Sequence, residues 1–139
     1  MSVRKGTYVL VVTLDRELNT TVGAKGPHTF SSGTYCYVGS AMGGLDQRLK
    51  RHLAHDKKVK WHIDYLTTEC ASAEAWESYP EVIPECVLGN RIEALGGIPE
   101  MDGFGCSDCG CRTHLFRVDA DTVSEIVSSM GLKPYIRAH

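Results

Sequence analysis

Hydrophobic positions change their period several times along the chain, and each change predicts a different element. Tyr8-Val-Leu-Val-Val-Thr-Leu14 is a β-branched and aromatic run followed by the turn-forming stretch Asp15 to Asn19, which predicts a first strand. Weaker extended pieces around Thr20 to Val22 and His28 to Phe30 are separated by Gly23, Gly26 and Pro27. Thr34-Tyr-Cys-Tyr-Val38 then closes what reads as an antiparallel meander, and small residues from Gly39 to Gly44 end the extended period. From Leu45 the period becomes helical. Leu45, Leu49 and Leu53 recur at every fourth position, with Arg48, His52 and His55 on an adjoining stripe.

Trp61 to Thr67 fits either a short helix or an extended piece, and Ala73 to Ser78 alternates weakly, as an inner strand would. Pro84 suits a first helical turn, Glu85 to Leu95 has helical composition, and Gly96-Gly97 is a stop. A turn-rich loop, Met101 to Cys111, leads to a strand over His114-Leu-Phe-Arg-Val118. Asp121 or Thr122, with Glu125 three beyond the threonine, resembles a capping box opening a last helix that runs to Met130 and stops at Gly131. Leu132 to His139 read as a loosely held tail. The pattern predicts an α/β (α+β) fold, an antiparallel sheet flanked by helices. At 139 residues it forms one domain, with a core over about 6–118 and a C-terminal helix and tail over 119–139.

Composition narrows the class. With 42% hydrophobic and 23% charged residues the chain is an ordinary folded domain rather than a disordered segment or a coiled coil. No apolar run approaches the roughly 18 residues of a membrane span, and the first residues enter a strand without a secretory core, so the expectation is a cytoplasmic protein with no membrane partner. Six cysteines are present. Cys106, Cys109 and Cys111 crowd one loop and Cys36, Cys70 and Cys86 sit singly in apolar contexts, a usage that fits reduced thiols better than a secreted disulfide scaffold.

Charge changes the picture through its distribution. The net charge is −2, but the segment from Leu45 to Lys60 holds +4 and leaves −6 for the remainder. A basic stripe on an acidic body suits a phosphate backbone on one face, with Lys50, Arg51 and Lys58 as candidate phosphate contacts; the alternative is a solvated helix face.

The candidate chemistry follows from order along the chain. Tyr37-Val-Gly-Ser-Ala41 ends a strand and turns directly into the basic helix, so Tyr37 and Arg48 can approach each other. Arg48 and His52 stand one helical turn apart, where a guanidinium fork can hold a phosphate and an imidazole can relay a proton. His62 and Asp64 form either a structural hydrogen-bond pair or support for the site. Cys106, Cys109, Cys111 and His114 are ligand types that zinc favours, but their spacing is too tight for a familiar finger. A structural zinc is therefore the lesser reading, and Ser107-Asp108-Cys109 is read as a turn against the cleft with Asp108 as a supporting carboxylate.

Gly6-Thr-Tyr8, Tyr37-Val-Gly39 and Arg48-Leu-Lys-Arg-His52, in that order, resemble the GIY-YIG nuclease module of homing endonucleases and of the incision subunit of bacterial nucleotide excision repair. Tyr37-Val-Gly-Ser-Ala41, Trp61-His-Ile-Asp-Tyr-Leu66, Gly103-Phe-Gly-Cys-Ser-Asp-Cys109 and His114-Leu-Phe116 are similar to an uncharacterised GIY-YIG-like family of archaea and some bacteria, over about Gly6 to Val118. The resemblance implies that Tyr8 is a general base or water-orienting group, that Tyr37 supports it, and that Arg48 stabilises the phosphoryl transition state. It implies that Glu85, or in its place Glu93, holds one Mg²⁺ or Mn²⁺, and that His52 relays a proton or contacts phosphate. Three departures stand out. The tyrosines lie 29 positions apart, so an extra extended segment is inserted between the two motifs. Gly33-Thr-Tyr35 repeats the first motif, but on the same strand as Tyr37. The nucleases' asparagine-containing ending after the metal ligand is missing, with Gly103-Phe-Gly-Cys-Ser-Asp108 in its place. The implied activity is metal-dependent endonucleolytic cleavage, of DNA more than RNA, in repair or processing. The alternative is a non-catalytic nucleic-acid-binding module that keeps a degenerate cleft. No base-reading motif is visible, which leaves specificity low or supplied by a partner protein.

Overall fold

The computed structural model describes residues 3–105 and 112–135. In chain order the elements are β1 (Gly6–Leu14), β2 (Leu18–Thr21), a 3-10 turn (Gly23–Lys25), β3 (Pro27–Phe30), β4 (Gly33–Ala41), α1 (Leu45–Leu53), α2 (Asp64–Thr67), β5 (Ser72–Ser78), α3 (Glu85–Ala94), β6 (Ile98–Pro99), β7 (Leu115–Val118), α4 (Ala120–Met130) and β8 (Lys133–Pro134). Six strands form one sheet in the order β6-β7-β4-β1-β5-β8, with every pairing antiparallel. The mixed α+β class expected from the pattern is the one observed.

The two nine-residue strands β1 and β4 make the centre and pair along their whole length, Tyr8 opposite Gly39 and Leu10 opposite Tyr37. Alternation sorts their side chains: Tyr8, Leu10, Val12, Tyr35 and Tyr37 enter one core, and Val9, Val11, Cys36 and Val38 enter the other. The first core is closed by Leu45 and Leu49 of α1, Leu66 of α2 and Phe30 of β3, and the second by Leu88 and Ile92 of α3 and Ile126 of α4.

The expected meander is not formed. β2 and β3 pair only with each other, as a separate hairpin standing on the first core, because β1 and β4 already satisfy one another's backbone groups along nine residues. The expected loose tail is also corrected within the described residues: Leu132 is buried, β8 pairs with β5, and the Tyr135 N–H donates to Ala75 O at 2.9 Å. The last helix begins at Ala120 with Asp119 as N-cap, one turn ahead of the capping box read from Thr122. The ambiguous stretch after Trp61 resolves as a single helical turn.

α1 starts at Gly44, whose φ of 132° is a conformation glycine tolerates and other residues rarely adopt. Its first free N–H, that of Leu45, donates to Arg4 O at 2.7 Å, and Arg4 also pairs with Asp46 and Glu77. At the other end Lys57 Nζ donates to Arg51 O at 3.0 Å and His52 O at 2.8 Å, closing the helix with a cation on its last carbonyls. Among the described residues no helix is long and apolar enough to cross a membrane.

Candidate functional site

β1 and β4 present Tyr8 and Tyr37 on the same sheet face as diagonal neighbours, since Tyr37 faces Leu10 two places along from the Tyr8–Gly39 pair. Above them α1 brings His52 and Arg48. Together with Gly39, Ser40, Trp61, Glu85, Gly105 and His114 these residues line a cleft of about 280 Å³.

Two glycines let the rings lie flat against backbone. A Cβ at Gly39 would stand 2.3 Å from the Tyr8 hydroxyl oxygen, and one at Gly105, where φ is +73°, would stand 2.8 Å from Tyr37 Cε1. Substituents at either place would push a tyrosine out of the cleft wall.

The Tyr8 hydroxyl lies 2.8 Å from His52 Nε2, and both side chains are almost wholly buried. Burial pushes the phenol up to about 12, against the opposing charge and hydrogen bond of Arg48. Burial likewise pulls the His52 imidazole down to about 3, helped by the nearby Lys57 charge. Both groups are therefore neutral at ordinary pH. His52 Nδ1 has no hydrogen-bond partner among the described residues. A buried N–H without an acceptor is costlier and rarer than an unfilled lone pair, so the proton belongs on Nε2, donating to the Tyr8 oxygen. Tyr8 then accepts from His52, with Arg48 close by, and its own O–H is left to donate to a ligand in the cleft.

Arg48 is positioned twice, by Nη1 donating to Ser40 O at 3.1 Å and by its guanidinium 4.6 Å from the Trp61 ring centroid. On the opposite wall Glu85, at the first turn of α3, lies 3.9 Å from Nδ1 of buried His114. Burial lowers the His114 pKa, with Glu85 and the Val38 backbone acting against it.

Other expected residues stand elsewhere. Glu93 is exposed further along α3 and does not line the cleft, so geometry favours Glu85 of the two glutamates. His62 and Asp64 do not pair. His62 Nδ1 accepts the Gly105 N–H at 3.0 Å, and burial followed by the Lys25 charge lowers its pKa, so the ring is a neutral acceptor holding the loop against Tyr37. Asp64, fully buried, accepts from Arg51 at 3.0 and 2.9 Å and from the N–H groups of Lys60 and Trp61 at 2.8 and 2.9 Å. Burial alone would raise its pKa, but these donors hold it below the ordinary carboxylate range. Arg51 is thus tied to Asp64, whereas Lys50 and Lys58 are exposed. Cys106, Cys109, Cys111 and Asp108 lie outside the described residues. His114, read from sequence as a possible zinc ligand with those cysteines, lies 3.9 Å from Glu85 at the cleft; its companionship with cysteines hid that position, and only its place immediately before β7, whose Leu115 pairs with Tyr37, could have signalled it.

Among the described residues no group of three or more His, Cys, Asp or Glu side chains could cage an ion. One carboxylate on an open, polar cleft does suit a hard ion such as Mg²⁺, which keeps several waters and takes further oxygens from a phosphate.

A family model described as a domain of unknown function, DUF123, matches residues 7–133, nearly the whole chain, and the protein belongs to that family. No curated protein and no solved structure matches it.

Proposed function

We propose that this DUF123 member is a divalent-metal-dependent endonuclease of the GIY-YIG type, acting in the cytoplasm on nucleic acid, with DNA favoured over RNA. The observation that supports the reading is the convergence of Tyr8, Tyr37, Arg48 and Glu85 on one cleft from four separate elements. Phosphodiester hydrolysis needs an oriented water, a cation at the phosphoryl oxygens and a polar ion site. Tyr8 with Tyr37, then Arg48, then Glu85 supply such groups in that order.

In this reading Tyr8 orients the attacking water through the O–H it directs into the cleft, and its pKa near 12 fits orientation better than proton abstraction in the free protein. His52, neutral and immobile, fixes the Tyr8 oxygen rather than storing a proton. Arg48, held by Ser40 O and Trp61, presents its fork to the phosphoryl oxygens. Tyr37 lines the cleft beside Tyr8, backed by Gly105 and Phe104. Glu85 would hold a Mg²⁺ or Mn²⁺ ion, which supplies Lewis-acid stabilisation of the phosphoryl and leaving oxygens when bound. The free thiols of Cys36, Cys70 and Cys86 fit a reducing compartment.

The test is cleavage of duplex, branched and single-stranded DNA and RNA with Mg²⁺ or Mn²⁺, expecting products with 5′-phosphates. Arg48→Ala and Glu85→Gln each lower the rate by about 10²- to 10³-fold, as does Tyr8→Phe. Activity surviving all three together sinks the reading.

A second reading is a nucleic-acid-binding module without turnover. It is favoured by one observation: neither Tyr8 nor His52 titrates near neutral pH, so neither is a ready general base. Salt-sensitive binding with no product under every metal condition would select it.

A further inference from the structure

We propose that the groove beside the cleft, between the start of α1 and the Lys60–Trp61 turn, is a second phosphate subsite that holds the neighbouring phosphodiester of the same strand. The proposal rests on the reading of the cleft as a nucleic-acid site and deepens it by assigning the path the backbone takes.

The groove, of about 290 Å³, is lined by Gly43, Gln47, Arg48, Lys60 and Trp61 among others. It shares Arg48 and Trp61 with the cleft, so the two spaces adjoin across these side chains. Three cations surround one indole: the Arg48 and Arg51 guanidinium carbons lie 4.6 and 4.3 Å from the Trp61 centroid, and Lys60 Nζ lies 5.2 Å from it. Clustering like charges is unfavourable unless something offsets it. Asp64 neutralises Arg51 only, and Asp46, the acid in the first turn of α1, is drawn to Arg4. Among the described residues no carboxylate pairs with Arg48 or Lys60. An anion in the groove would complete this arrangement, and a phosphodiester reaching the cleft places one there.

The chemistry of the indole narrows the ligand. Its ring is already engaged by cations, so Trp61 arranges charge and is not a free platform for stacking a base. The floor at Gly43 is open, with nothing within 4 Å of the position a side chain would occupy. The subsite therefore recognises backbone phosphate without regard to sequence.

The chain contains two tryptophans, one on each face of the sheet, and Trp76, packed against the second core, serves as an internal control. The full chain, labelled with ¹⁵N, is titrated with single-stranded DNA of about ten nucleotides, and separately with inorganic phosphate, with no divalent ion present. The expected result is a moving Trp61 indole signal and a stationary Trp76 signal. Lys60→Ala weakens DNA binding by about 3- to 10-fold and lowers the slope of log affinity against log salt by about 0.7, with Lys60→Glu larger and the melting temperature unchanged in both. Unchanged affinity and slope in both Lys60 variants, alongside weaker binding by Arg48→Ala, overturns the subsite and leaves the cleft reading intact. Binding with these shifts but without cleavage under any metal condition supports the subsite and removes the nuclease reading.

Discussion

The two faces of the central sheet are made from alternate residues of the same strands, yet they end in different materials. On one face Val9, Val11, Cys36 and Val38 meet Leu88, Ile92 and Ile126 in an aliphatic seal. On the other the same strands offer Tyr8 and Tyr37 to His52, with glycines beneath the rings and one buried imidazole nitrogen unpartnered among the described residues. Burial of the first kind stabilises. Burial of the second kind costs stability, because neutralised or unsatisfied polar groups are kept out of water; the aliphatic face carries that cost at one atom, Trp76 Nε1, and the other at the whole Tyr8–His52 pair. A face that tolerates that cost is where function is expected.

The contrast can be broken or sharpened by substitution. Ile92→Ala, in the aliphatic seal, is expected to lower unfolding free energy by about 2–5 kcal/mol in urea titration while leaving cleavage per folded molecule unchanged. A loss of turnover beyond the unfolded fraction would mean the faces are coupled. Gly39→Ala is expected to cost about 1–3 kcal/mol and to abolish cleavage as well, since the added methyl collides with the Tyr8 ring. An active, fully stable Gly39→Ala would show that Tyr8 can leave its place.

Acidity separates the faces further. The His52 ring takes a proton near 6.5 in the unfolded chain but only near 3 in the fold. Its share of stability is therefore complete above about 6.5 and is lost, by about 1.4 kcal/mol per pH unit, as pH falls toward about 3. His62 and His114 shift the same way, whereas Asp64 adds its loss only below the ordinary carboxylate range. Denaturant midpoints should fall between about pH 7 and about pH 5 in the native chain and fall less in His52→Gln. An equal slope in both would remove His52 from the account. The smallest effect is expected at exposed Lys50, where replacement by alanine leaves melting unchanged and lowers the salt slope of DNA binding by less than one.

Much of the cleft could be read before the fold was seen, because its parts lie in order and close together. Tyr37, Gly39, Arg48 and His52 fall within one strand–turn–helix unit, and Tyr8 lies on the strand that pairs with it. What was not legible depends on distant partners. Glu85 and Glu93 share a helix and a composition, and only the docking of its first turn beside His114 separates them. Asp64 looked like a possible site carboxylate because nothing local reveals that Arg51 and two backbone N–H groups close around it. His52 sits in a polar stripe by sequence, and its burial follows from Tyr8 lying underneath. β8 escaped notice because two residues ending in proline have no strand period of their own.

That brevity has a consequence at the sheet's borders. Both outermost strands, β6 and β8, are two residues long and finish in a proline, Pro99 and Pro134. A proline offers no amide hydrogen for an incoming chain to grip, and two residues are too few to set a register. Growth of the six-stranded sheet is thus discouraged where these two short strands cap it, over Phe116–Arg117 on one side and Trp76–Glu77 on the other.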